Sequence, residues 1–167
     1  MLRTKDILDE KDPRVRAKNT DVDFPLNDEY KDIIPEMLKH LRYSQIEKLS
    51  KKYDLRPGMG LAAPQLGINK NFFVVCYEVK DGVFDDYILI NPKVISYSEE
   101  MIYAGEGEGC LSVNREVEGI VPRHARITVE AYDLDGNKRK YRVREDLAIA
   151  FQHELDHLNG ILFVDYI

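Results

Sequence analysis

The chain has few cysteines, no excess of positive charge and no long apolar run. Each of these absences argues against a particular class of protein. No apolar run approaches the roughly 20 residues that a membrane-spanning helix needs. Only two cysteines occur in 167 residues, with no signal peptide, which predicts free thiols in a reducing cytoplasm rather than a disulfide. The net charge of −6 argues against direct nucleic-acid specificity. We expect residues 48–52 to be the only short basic cluster and to form the solvated face of a helix.

The order of the predicted elements indicates an α+β fold. No repeat, low-complexity segment or linker divides the chain, so we expect a single domain over residues 1–167. Helical spacing begins at Asn27, although Pro35 should bend that helix or mark a later start, and Ser44 with Glu47 predicts a capping box for a second helix. Strands are expected at 71–79, 87–97, 126–132 and 138–144. The pattern predicts antiparallel β-sheets packed around a C-terminal metal-bearing helix, with N-terminal helices.

The run QHELDHLNG near the end of the chain contains an HExxH pattern. His153 and His157 lie four residues apart, so on a helix both imidazoles face the same side and reach one divalent metal. Glu154 lies between them and is free to transfer protons. The pattern is typical of metal-assisted hydrolysis, although so short a motif also arises by chance on amphipathic helices.

A catalytic metal of this kind normally has three protein ligands and one open position. The position six residues past His157, where longer protease motifs place a third histidine, is Phe163, and no glutamate follows Glu154. A third ligand must therefore come from upstream. The candidates are Cys76, Cys110, His40 and His124.

Local sequence separates these four candidates. Cys76 lies in a continuous apolar run that predicts a buried strand, where free cysteine is usually a small hydrophobic residue. His40 is expected to be a solvated surface residue of a helix, and His124 a loop residue. Cys110 lies in the glycine-rich segment GEGEGCLSV, where its thiol would be accessible, so we expect it to be the third ligand. A thiolate with two imidazoles suits Zn or Fe(II) and not Mg or Ca.

A third segment, RPGMGLAAPQLG, contains Gly58, Gly60 and Gln65 and taken alone indicates no more than a tight turn before a strand. Together with EGCLS at 108–112 and QHELDHLNG at 152–160, it resembles the peptide deformylase family, because all three family motifs occur in order and without a break. The stretch 113–123 and the insertion between residues 27 and 55 resemble the longer bacterial class of that family.

The resemblance implies a metal-dependent hydrolase that removes the N-formyl group from the formylmethionine of nascent peptides and releases formate. Cys110, His153 and His157 would hold the metal, a water on it would become the attacking hydroxide, and Glu154 would act as general base and then acid. The oxyanion donors map to Gln65 and the backbone N–H of Leu111. The resemblance favours Fe(II) in the cell, with Zn, Ni or Co possible in preparations.

Substrate binding is expected from four further residues. Gly60 and the segment beyond Cys110 would bind the peptide backbone as an added strand, and Gly58 is expected to bind substrate beside them. Ile149 and Ala150 lie one helical turn before His153, where they would line a methionine pocket or simply belong to the core. The resemblance also suggests the ribosome as a partner.

Three other functions fit parts of the sequence. A zinc endopeptidase shares HExxH but would cleave internal peptide bonds. A cysteine hydrolase would use the Cys110 thiolate as the nucleophile. A non-catalytic homologue would bind peptides or metal without turnover.

Overall fold

The computed structural model describes residues 1–167 without a gap and contains three α-helices and seven β-strands. The helices are α1 (Asp28–Ser44), α2 (Glu47–Tyr53) and α3 (Glu145–Leu158). The strands are β1 (Gly60–Ala62), β2 (Phe72–Lys80), β3 (Val83–Tyr97), β4 (Met101–Ile102), β5 (Arg123–His124), β6 (Arg126–Tyr132) and β7 (Lys138–Arg144). None of the helices combines the length and the apolar character needed to cross a membrane.

The strands form one five-stranded antiparallel sheet in the order β1-β2-β3-β6-β7, and β4 pairs with β5 in a separate two-stranded sheet. The hairpin between β6 and β7 closes at the predicted turn, where Gly136 has a φ of +82° that a residue with a side chain rarely adopts. β1 and β7 are the two edges of the large sheet. This arrangement, with α3 at the C-terminal end of the chain, confirms the predicted α+β class.

The large sheet is packed between α1 on one side and α3 on the other. Successive side chains of a strand point to opposite sides, so Phe72, Val74 and Cys76 join the core under α1. Phe73 and Val75 join the core under α3. Burial on both sides explains why β2 is a continuous apolar run, and it confirms the structural role predicted for Cys76.

Helix α1 begins where the sequence predicts. The side chain of its N-cap, Asn27, accepts a hydrogen bond from the backbone N–H of Glu29 at 2.8 Å, and Pro35 lies inside the helix rather than at a later start. The capping box predicted from Ser44 and Glu47 is wrong. Ser44 is buried at the end of α1, where its hydroxyl donates to the carbonyl of Leu41 at 2.7 Å. Ile46 is the N-cap of α2 and provides no side-chain bond.

Two histidine predictions also need correction. His40 is buried rather than solvated, and its Nδ1 lies 2.9 Å from the carbonyl oxygen of Leu2, so it anchors the N-terminal segment on α1. His124 belongs to strand β5 rather than to a loop, and its Nδ1 lies 2.7 Å from the carbonyl oxygen of Ser98. Neither histidine belongs to the group of potential metal ligands.

Candidate metal centre

Helix α3 presents the HExxH residues from its buried face. Its first turn carries Glu145 and Asp146, whose charges favour the positive end of the helix dipole. The ring centroids of His153 and His157 lie 5.0 Å apart on neighbouring turns, as the i and i+4 spacing predicts. Both histidines and Glu154 are buried, which is rare for these residue types unless they are paired or bind a ligand.

Cys110 lies against this pair of histidines. One potential ligand atom from each of Cys110, His153 and His157 falls within a group whose members are all within 4.8 Å of one another. The closest approach is 3.3 Å, between Cys110 Sγ and His157 Nε2. The buried Nδ1 of His157 has no hydrogen-bond partner. One sulfur and two imidazole nitrogens at this spacing fit a single Zn or Fe(II) ion.

A chain of charged side chains, Glu108, Arg123 and Asp156, contacts His153 through Glu108. The sequence did not lead us to predict it. Glu108 Oε1 accepts a hydrogen bond from His153 Nδ1 at 2.8 Å. Arg123 donates to both oxygens of Glu108, each at 2.9 Å, and to Asp156 Oδ2 at 2.6 Å. A carboxylate on the outer nitrogen of a ligand histidine fixes the ring and directs Nε2 toward the metal. The available signal was Glu108 itself, which begins the EGCLS motif.

The electrostatics of the site favour positive charge at His153. Burial disfavours the charged imidazolium, but the hydrogen bonds with Cys110 and Glu108 outweigh burial and raise the pKa of His153 well above its usual value. Burial alone would raise the pKa of Glu108, but the hydrogen bonds from His153 and Arg123 outweigh burial and lower it to about 2. Burial, reinforced by the charge of His153, holds the pKa of His157 well below normal, so that ring is neutral and suited to metal binding.

Glu154 has the environment of a proton acceptor. Burial raises its pKa to about 7, close to the pH at which a general base works best. One carboxylate oxygen, Oε1, is buried without a hydrogen-bond partner, and the other, Oε2, lies 4.0 Å from His153 Nε2. An unpartnered buried carboxylate oxygen is costly to the fold, which is typical of a functional position.

Gln65 lies beside Cys110 in the 3-10 turn Ala63–Leu66 that follows β1. Its side-chain oxygen accepts a hydrogen bond from the N–H of Ala62 at 2.9 Å, which fixes the orientation of the amide. Its Nε2 then points to Ser112 Oγ at 3.1 Å and to Cys110 Sγ at 3.7 Å. The amide is therefore a preorganised N–H donor at the edge of the ligand group.

The two glycines of the first motif lie so close to other site residues that an added side chain would displace them. A Cβ added at Gly60 would lie 2.5 Å from Glu154 Oε2, and one at Gly58 would lie 2.8 Å from a methyl carbon of Leu111. An added Cβ at either position would therefore force the Leu111 or Glu154 side chain to move. The absence of side chains brings β1, α3 and the Cys110 segment together around the ligand group.

A cavity of about 900 Å³ opens beside this group. Gly58, Gly60, Ile149 and Ala150, the four residues predicted to bind substrate, all line it, as do Cys110, Leu111, His153 and Glu154. Gln65 is almost fully buried behind Cys110 and does not line the cavity. The size suits a short peptide, and β1, as an edge strand, flanks the opening.

Comparison with known proteins agrees with this geometry. The family model described as Polypeptide deformylase matches residues 4–167. The peptide deformylase of Oceanobacillus iheyensis is 47% identical over 167 residues, which are 100% of this chain and 91% of that protein, and that of Macrococcus caseolyticus is 49% identical over 168 residues with the same coverage.

Solved structures show the same fold. A probable peptide deformylase from Synechococcus phage S-SSM7 superposes with a TM-score of 0.79 at 35% identity and covers 96% of this chain and 98% of its own. Peptide deformylase from Thermotoga maritima superposes with a TM-score of 0.74 at 33% identity, covering 96% and 95%.

The fold and the Cys-His-His group together define a metal-dependent hydrolase, an enzyme class in which the metal and a nearby carboxylate activate water. The chain belongs to the peptide deformylase family. Its activity is accordingly the deformylation of nascent peptides, which confirms the function predicted from the three motifs.

Proposed function

We propose a specific role in deformylation for each predicted site residue, within one catalytic unit over residues 1–167. The observation that carries the proposal is the group formed by Cys110, His153 and His157, of which Cys110 and His153 line a peptide-sized cavity, with buried Glu154 beside them. Cys110, His153 and His157 would hold one divalent ion. When bound, that ion lowers the pKa of a coordinated water and polarises the formyl carbonyl.

Glu154 moves the proton. Its carboxylate accepts a proton from the attacking water and delivers it to the amine that leaves when the C–N bond of the formamide breaks. Its pKa of about 7 suits both directions of transfer. Formate and a peptide with a free amino terminus are the products, so atoms and charge balance without a further reactant.

Gln65 and Leu111 stabilise the oxyanion that develops on the formyl carbonyl. Gln65 does not line the cavity, but its Nε2 lies 3.7 Å from Sγ of Cys110, which does. Its amide is already oriented by Ala62 and Ser112, so it requires little reorganisation as charge develops. Leu111 follows Cys110 directly and is one of the residues that line the cavity, and its backbone N–H is the second proposed donor. Each such donor contributes about 2.7–4 kcal/mol of transition-state stabilisation in hydrolases.

The peptide binds as an extra strand along the free edge of β1. Gly58 and Gly60 leave room for its backbone, and main-chain hydrogen bonds of this kind give affinity without selecting many side chains. Ile149 and Ala150 line the cavity on α3 and form part of an apolar pocket for the methionine side chain. Together these contacts would hold the formyl group next to Cys110, His153 and His157.

Fe(II) is the proposed native metal. The family is metal-dependent, and the donor set accepts Fe(II), Zn, Ni or Co. An Fe(II) site with a thiolate ligand is prone to oxidation, so activity should fall during aerobic handling and be preserved by anaerobic purification or nickel substitution. Equal activity and oxygen tolerance of iron and zinc forms would contradict this assignment. We further propose that the enzyme works in the cytoplasm, at or near the ribosome, where formylated nascent chains emerge.

Formate release from a formyl-Met tripeptide, with metal content measured on the same anaerobic sample, tests these roles. Wild type should turn over and contain one metal per chain. Glu154→Ala should retain that metal and lose turnover by about 10²–10⁴-fold. Glu47→Ala, which removes an exposed glutamate of α2, is the matched control and should behave as wild type.

The same samples distinguish the other functions. Cleavage inside an unformylated peptide would indicate an endopeptidase, and a covalent formyl adduct on Cys110 detected by mass spectrometry would indicate a cysteine hydrolase. Full metal content in wild type without formate release would indicate a non-catalytic homologue. Loss of metal from Glu154→Ala would mean that this residue supports the ligands rather than transferring protons.

A further inference from the structure

The large sheet is covered on both sides only at its β1–β2–β3 end. Helix α3 packs against β1, β2, β6 and β7 on one side, and α1 packs against β1, β2 and β3 on the other. On β6 the buried Ile127, Val129 and Ala131 point toward α3, so Arg126, Thr128, Glu130 and the neighbouring residues of β3 and β7 face solvent beyond α1. Tyr132 and its β3 partner Ile90 instead pack in the core under α1. We name this surface the β6–β7 outer face. Its charged members are Lys93, Arg126, Glu130, Lys138, Lys140, Arg142 and Arg144.

This face concentrates positive charge on a chain whose net charge is −6. Six of the 24 lysines and arginines lie on it, and Glu130 is its only carboxylate. The expectation that residues 48–52 form the one basic cluster is therefore wrong. Net charge alone argued against polyanion binding, but the distribution of charge over the folded surface decides that question.

Most of these cations have no partner within the protein. Arg126 pairs with Glu100 at 2.7 Å and Lys138 pairs with Glu130 at 3.1 Å, whereas Lys93, Lys140, Arg142 and Arg144 form no salt bridge. Arg126 also lies directly opposite Arg144 in the sheet. Like charges at directly opposed positions destabilise a sheet, so the fold gains nothing from this arrangement. An external anion would relieve the repulsion.

A depression at the end of the face where β6 begins has the chemistry of a phosphate site. Its volume is about 480 Å³, and it is lined by Arg126, Arg142, Arg144 and the hydroxyl side chains of Ser96 and Thr128. Guanidinium groups bind phosphate oxygens with two parallel hydrogen bonds, and hydroxyl groups add further donors. Tyr97, which is 64% exposed, borders the depression; one side of its ring packs against His124, with ring centroids 4.4 Å apart, and the other side is available for a base to stack on.

We propose that the β6–β7 outer face binds the phosphate backbone of single-stranded RNA without reading its sequence. Alternate side chains of a strand lie roughly 6.8 Å apart, so Arg142, Arg144 and Lys140 form a row that follows an extended polyanion. The choice of RNA rests on the proposed function, because nascent peptides emerge from ribosomes. The face and the metal group lie on opposite sides of the sheet, so RNA and substrate would bind at the same time.

Fluorescence anisotropy with a 5′-fluorescein-labelled 20-nucleotide single-stranded RNA of mixed sequence tests the proposal. If the four unpaired cations each neutralise one phosphate, log K should fall with log salt at a slope of about −2.8, or about 50-fold between 50 and 200 mM. Arg142→Glu/Arg144→Glu should weaken binding at least tenfold and reduce that slope by about 1.4. Arg142→Lys/Arg144→Lys keeps the charge and should retain most of the affinity.

Lys48→Glu/Lys52→Glu on α2 is the matched control, since it makes the same change in net charge at another basic surface and should leave RNA binding unchanged. Equal loss in both charge-reversed variants, salt-independent binding, or no binding by wild type would overturn the proposal. So would binding to phosphatidylserine vesicles in place of RNA. Formate release is measured on every sample and should be unchanged. RNA binding without turnover in wild type would contradict the proposed function alone.

Discussion

Gly60→Ala is the smallest change that should disable the general base. A Cβ at residue 60 would lie 2.5 Å from Glu154 Oε2 and 2.8 Å from the carboxylate carbon. Carbon atoms and their neighbours normally stay about 3.5 Å apart, so the Glu154 carboxylate must move by about 1 Å. Displacement of a catalytic group by about 1 Å costs on the order of 100-fold in rate, which corresponds to about 2.7 kcal/mol in the barrier.

The assay for Gly60→Ala is kcat for formate release, with metal content and melting temperature measured in parallel. We expect kcat to fall about 100-fold while metal content stays at the wild-type level, because Cys110, His153 and His157 are unchanged. Gly105→Ala is the matched control, since an added Cβ there meets no atom within 4 Å. A Gly60→Ala enzyme with wild-type kcat would refute the role assigned to Glu154 and the close packing on which it depends.

Three further substitutions test the remaining parts of the site. Cys110→Ser should lose most of its bound metal and its activity, as measured by elemental analysis and formate release. Cys76→Ala, in the buried strand, is the control and should keep both while losing only stability. Equal metal loss in the two variants would contradict the ligand assignment. Glu108→Gln should weaken metal affinity about 10–100-fold in a chelator competition, because the His153 ring loses its carboxylate partner; unchanged affinity would show that the contact is only structural. Gln65→Ala should lower kcat about 10²–10³-fold with little change in KM, and a change confined to KM would exclude an oxyanion role.

The sequence correctly predicts that Cys110, His153 and His157 come together, because local rules select these three residues. His153 and His157 lie on the same face of their helix wherever that helix packs in the fold. Cys110 was preferred over Cys76 as the third ligand because Cys76 lies in an apolar run that predicts a buried strand. The fold class follows from similar patterns, since strand alternation and the hairpin at Gly136 depend on neighbouring residues alone.

The features that the sequence analysis missed depend on contacts between distant segments. Glu108, Arg123 and Asp156 form their chain only when β5, α3 and the loop that carries Glu108 meet. No local pattern distinguishes Arg123 and Asp156 from solvated charges, and only the EGCLS motif pointed to Glu108. His40 was predicted to be exposed because its neighbours are charged, but Leu2 covers it from 38 positions away. Ser44 failed as a helix cap because its hydroxyl bonds at 2.7 Å to the carbonyl of Leu41 in the preceding helix.

The central claim is that one sulfur and two nitrogens hold a single metal, and X-ray absorption at the metal edge tests it most directly. For the zinc-loaded protein we expect one sulfur scatterer at about 2.3 Å and two imidazole nitrogens at about 2.0–2.1 Å, with one metal per chain. Cys110→Ser should remove the sulfur signal. A wild-type spectrum with only nitrogen and oxygen neighbours would contradict the account.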